Sequence, residues 1–132
     1  MTEETQYKKD IELTKEFIGT SPWKTNPGRY PNWCIYLGKL CRLHKTKRLN
    51  LVVDKSITTP CYQKIMRVVY LQKFSLISLL HEFAHHIGKN EQQCKKYSEH
   101  IFLTANPKAK NYLVRDERGY LIKKQEAGGA KK

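Results

Sequence analysis

The stretch from Ser75 to Thr104, SLISLLHEFAHHIGKNEQQCKKYSEHIFLT, limits the possible folds more than any other part of the chain. It spells two helices in succession with their boundaries marked. Ser75 is an N-cap, so a helix is expected from Leu76 to about Ile87, ended by Gly88. Asn90 caps a second helix, and Gln93, three residues on, completes a capping box. That helix is expected to reach Leu103 or Thr104, where ANPK stops it.

The first of these helices is segregated. At about 100° per residue, Leu76, Leu79, Leu80, Phe83, Ala84 and Ile87 share one broad arc. Ser78, His81, Glu82 and His85 fall on the opposite arc, with His86 at the border. Histidines that merely fill a core would sit inside the apolar arc, and these do not. His81 and His85 stand one turn apart on one face, so both imidazoles can reach a single ion, while Glu82 points to the flank, within reach of a water beside it. HExxH on a helix therefore reads as two zinc ligands and a general base.

A catalytic zinc needs a third protein ligand and an open fourth position. Glu91, Cys94, Glu99 and His100 are the nearby candidates. Glu91 opens the stripe Cys94, Ser98, Ile101 and Phe102, the face expected to pack on the first helix, and it lies at the end nearest His85. Glu91 is taken as the third ligand, Cys94 as helix packing, and His100 and His44 as surface residues.

The rest of the chain reads as a small α+β domain. Residues 7–18 show mostly helical spacing with Gly19 as a stop, and TSPWKTNPGRYPNW, with its prolines and glycine, is expected as loop. WCIYL (33–37), LNLVVD (49–54) and IMRVVYLQ (65–72) look like strands of a mostly antiparallel sheet, with SITTPCYQ as a turn. NYLVRDERGYLIKK reads as a terminal hairpin turning at DERG. One domain is expected over residues 1–124, followed by a flexible tail at 125–132.

Composition narrows the class further. No apolar run approaches the roughly 20 residues of a membrane span. The first residues, MTEETQYKKD, lack a secretory h-region, so a cytoplasmic protein is expected. Cys34, Cys41, Cys61 and Cys94 form no CxxC pair and are expected as thiols rather than disulfides. The formal net charge of +13 fits either a lysine-rich surface or nucleic-acid binding. Its densest stretch holds Lys39, Arg42, Lys45, Lys47 and Arg48.

HEFAHHIG followed by NEQQCKKYSEHIF resembles the small glutamate-type zincins, the minigluzincins, and the related ImmA/IrrE-like peptidases. In that group a second helix beginning with glutamate supplies the third ligand, and Glu91, Cys94 and Tyr97 match its register. The resemblance covers about 30 residues. The pattern also fits the metzincin HExxHxxGxxH with glutamate at the last position, but Met1 and Met66 both lie upstream, so no methionine turn follows.

The resemblance implies a minimal zincin fold: an N-terminal helix, a three-to-four-stranded sheet, the HExxH helix, the glutamate helix and a C-terminal hairpin or tail. It implies one Zn²⁺ per chain held by His81, His85 and Glu91, with Glu82 taking a proton from the attacking water. His86 and Tyr97 are candidate oxyanion or substrate contacts. The substrate would be a peptide or protein lying along an edge strand, and the C-terminal segment is a candidate inhibitory cover. The alternative expectation is a basic nucleic-acid-binding module on the same scaffold, with zinc structural or absent.

Overall fold

The computed structural model describes residues 3–124. Helix α1 (Glu3–Gly19) leads into an irregular segment and then α2 (Arg29–Leu43). Strands β1 (Asn50–Val53), β2 (Cys61–Gln63) and β3 (Val68–Leu71) follow, then α3 (Leu76–His86) and α4 (Glu91–Ala105). A 3-10 turn (Pro107–Asn111) leads to the hairpin β4 (Leu113–Arg115) and β5 (Leu121–Lys123). The chain is thus α+β, and among the described residues no helix is long and apolar enough to cross a membrane. The tail 125–132, expected to be flexible, lies outside the described residues.

Residues 33–37 are helix, not strand. Trp33, Tyr36, Leu37, Leu40 and Cys41 are the buried positions of α2, a spacing of three, four, seven and eight residues that puts one face of a helix on the core. Pro31 falls in the first turn, where its missing N–H is not needed. Phe17 of α1 stacks on Tyr36 at 4.1 Å and meets the Trp33 ring edge-on at 5.2 Å, so aromatic packing joins α1 to α2.

The sheet is mixed, in the order β1-β3-β2. β1 runs parallel to β3, with Leu51 opposite Val69, and β2 runs antiparallel to it, with Tyr62 opposite Val69. One expectation is corrected here. Cys61–Gln63, read as turn because of the Thr-Thr-Pro before it, is an edge strand. β3 is central and has no free edge, so it offers no site for an added strand. Leu51, Val69 and Leu71 face the same core as Leu76, Leu79, Leu80 and Phe83 of α3 and Ile101 of α4, all almost fully buried.

The boundaries of α3 and α4 match their sequence signals. The Ser75 side chain accepts from Ser78 N, and Gly88 takes φ +91°, a left-handed conformation that glycine adopts without strain. The Asn90 and Gln93 side chains bond each other's backbone N–H at 2.9 Å, a complete capping box. The short link folds α4 back along α3.

A buried polar cluster fastens α1 to α2 and α4. Asp10, fully buried, accepts a 2.7 Å hydrogen bond from the Tyr97 hydroxyl, and His44 Nε2 lies 2.8 and 2.9 Å from its two carboxylate oxygens. His44, expected at the surface, is largely covered, its side chain 10% exposed, where it meets this buried carboxylate. His100 is exposed, as expected.

Candidate metal centre

The polar face of α3 opens onto a cleft of 820 Å³. His81, Glu82 and His85 line one side with Ile77 and Ser78, and Glu91 and Lys95 line the α4 side. Edge strand β2 and the C-terminal hairpin form the remaining walls. The apolar face of α3 is committed to the core, so the sequence leaves only this polar face free to line a cleft.

Three side chains converge there. His81 Nε2 lies 3.1 Å from Oε2 of Glu91, and His85 Nε2 lies 3.0 Å from Oε1 of the same carboxylate. The capping box fixes Glu91 as the first residue of α4, directly against the last turns of α3. Two donor atoms on one tetrahedral zinc stand about 3.3 Å apart, given bonds of about 2.0–2.2 Å. Each imidazole meets its own oxygen of Glu91 at 3.0–3.1 Å, a separation that serves a hydrogen bond as well as a shared ion, and two imidazoles with a carboxylate are a donor set that suits zinc.

Cys94 is the competing donor. Its Sγ and ligand nitrogens of His81 and His85 all lie within 4.8 Å of one another. Yet the thiol is fully buried and donates to the Lys89 carbonyl at 3.4 Å. Burial, reinforced by the Glu91 and Glu82 carboxylates, pushes it up to about 12, whereas Glu91 is pulled down to about 2, first by the Tyr120 hydroxyl and then by the two histidines. The Glu91 carboxyl is held low and its oxygens lie 3.1 and 3.0 Å from the two imidazoles, whereas the thiol is held high and donates to a backbone carbonyl.

Glu82 is 8% exposed and borders the cleft, so burial pushes its carboxyl above the ordinary range while His81 and His85 pull the other way. A carboxylate with a raised affinity for protons beside a pair of imidazoles is suited to accept and return a proton.

The other expected site residues lie elsewhere. His86 has both nitrogens engaged, Nε2 with the Lys47 carbonyl at 2.7 Å and Nδ1 with the Tyr62 hydroxyl at 2.8 Å. It stitches the segment after α2 to β2 and does not line the cleft. Tyr97 is buried on Asp10, again away from the cleft. Lys39, Arg42, Lys45, Lys47 and Arg48 are all exposed, along α2 and the segment after it, and none lines the cleft.

The residue missed from the sequence is Tyr120. Its hydroxyl donates to Oε2 of Glu91, and its ring lies 6.1 Å from that of His81. The hairpin turn holds it there: Asp116 Oδ1 accepts from Arg118 N and Tyr120 N at 2.9 Å each, and Arg115 pairs bidentately with Glu99 of α4 at 3.0 Å. Position 120 carries no motif, and only the docking of the hairpin on α4 brings it to the site. Comparison with known protein families, curated proteins and solved structures finds no match to this chain.

Proposed function

We propose that this chain is a zinc-dependent endopeptidase of the small gluzincin type, built on a minimal zincin fold. The observation that supports the reading is the contact of both His81 and His85 with the Glu91 carboxylate on a cleft bordered by Glu82. These three residues would hold the ion. When bound, it supplies Lewis acidity, which makes a water more acidic and a carbonyl more electrophilic.

The chain's own groups do the rest. Glu82 takes the proton of the attacking water on its carboxylate and returns it to the leaving amine. Tyr120 orients Glu91 by hydrogen bonding to it, as outer partners of ligands do. β2 has a free edge on the cleft, and an extended peptide would add to it as a strand. In this reading the C-terminal hairpin is a wall of the cleft more than a plug. Shortened chains that cleave faster would favour the inhibitory role instead.

The deciding experiment is Glu82→Gln. The variant keeps its metal and loses proteolysis by at least about a hundredfold, the usual contribution of a positioned general base. Full activity in this variant would end the peptidase reading.

A second reading rests on the net charge of +13 and the exposure of Lys39, Arg42, Lys45, Lys47 and Arg48 on one continuous stretch. A nucleic-acid-binding role would show as a steep fall of affinity with salt that Arg42→Glu and Arg48→Glu flatten.

A further inference from the structure

The charged groups around the cleft are unevenly satisfied. Lys95 follows Glu91 by one helical turn and precedes Glu99 by one, so both are its natural partners on α4. Both are engaged elsewhere. Glu91 faces His81, His85 and Tyr120, and Glu99 is held by the two guanidinium nitrogens of Arg115 at 3.0 Å. Lys95 Nζ instead lies 5.2 Å from the centre of the Tyr120 ring, packed against the turn at Gly119. Arg118 sets its guanidinium over the same ring at 5.5 Å. Across the cleft, Lys64 follows edge strand β2, and it too is exposed at the wall.

Two cations thus lie within 5.5 Å of the centre of one tyrosine ring beside the candidate metal centre, and Glu91 and Glu99, the carboxylates one turn from Lys95, are engaged by other groups. Asp116 faces Arg118, but its Oδ1 is committed to the turn's backbone N–H groups. Lys95 lies four helical positions past Glu91, a rise of about 6 Å. For a peptide lying along α4 and advancing about 3.3 Å per residue, that rise brings a side chain about two positions from the scissile bond level with Lys95.

Resting on the peptidase reading for the position of the scissile bond, we propose that the cleft selects acidic peptides, with a substrate carboxylate seated between Lys95 and Arg118 over Tyr120. A carboxylate accepting from both cations makes charge-assisted hydrogen bonds, whereas a basic side chain there meets like charge.

Binding tests this without turnover. Metal-loaded full-length Glu82→Gln is titrated with two blocked fluorescent decapeptides that differ only by Glu or Gln two positions either side of the central bond. The Glu peptide is expected to bind about tenfold tighter at low salt, and the preference should fall to within about twofold in Lys95→Gln and Arg118→Gln backgrounds. Lys39→Gln and Arg42→Gln, on a surface away from the cleft, keep the preference and so exclude a general effect of net charge. Equal binding of the two peptides, or a preference that survives Lys95→Gln combined with Arg118→Gln, overturns the proposal. Tight, Lys95-dependent binding of the Glu peptide by a wild-type chain that never cleaves it would sustain the acidic site while ending the peptidase reading.

Discussion

The Tyr120 hydroxyl donates to Oε2 of Glu91, tying the C-terminal hairpin to the first turn of α4. Removing that bond while keeping the ring isolates its role. Tyr120→Phe is expected to weaken zinc binding by about tenfold to a hundredfold, the usual range for an outer partner of a ligand. Competition with a chromophoric chelator measures it. Unchanged affinity would show that Glu91 is oriented without Tyr120.

Cys94 is assigned to packing, although its sulfur lies near the two imidazoles. Cys94→Ser should therefore keep its metal, and the cobalt-substituted wild type should lack a thiolate charge-transfer band in the near ultraviolet. A strong band lost in the variant would mean a closed site of structural type, with Cys94 in the position a catalytic centre keeps open.

Tyr97 is expected to act on stability and not on chemistry. Its hydroxyl donates to Asp10, which is fully buried, and Tyr97→Phe takes away that donor. The cost should be about 1–3 kcal/mol in denaturant unfolding, with zinc affinity unchanged. A variant of normal stability and altered turnover would return Tyr97 to the site.

The hairpin turn should be sensitive to acid. Backbone hydrogen bonds from the turn, Tyr120 N first, hold the Asp116 carboxyl below its ordinary value of 3.8. A depressed carboxylate stabilises the fold above that value, and the contribution is lost as pH falls through the lower, folded one. Amide exchange in β4 and β5 should therefore gain protection from pH 3 to pH 5 relative to α3, and Asp116→Ala should remove the difference. Equal protection at both pH values in the wild type would contradict it.

The parts of this molecule written in local signals were legible in its sequence. Ser75, Gly88, Asn90 and Gln93 mark α3 and α4 because caps act within a few residues, and the spacing of His81 and His85 needs nothing beyond helix geometry. α2 was obscured because Trp33, Cys34, Ile35, Tyr36 and Leu37 form a short apolar run, whose strand-like composition hid the longer period reaching Leu40 and Cys41. His44 and Tyr97 meet Asp10 across 34 and 87 residues, and Tyr120 meets Glu91 across 29. Such pairings come from tertiary packing and leave no trace in local pattern.

The central claim is that His81, His85 and Glu91 hold one ion. Elemental analysis of protein dialysed against trace zinc tests it most directly, with wild type beside His81→Ala, Glu91→Ala and Glu82→Gln. The expected result is one equivalent of zinc in wild type and in Glu82→Gln, and next to none in the two alanine variants. No zinc in the folded wild type, or full occupancy in Glu91→Ala, would contradict it.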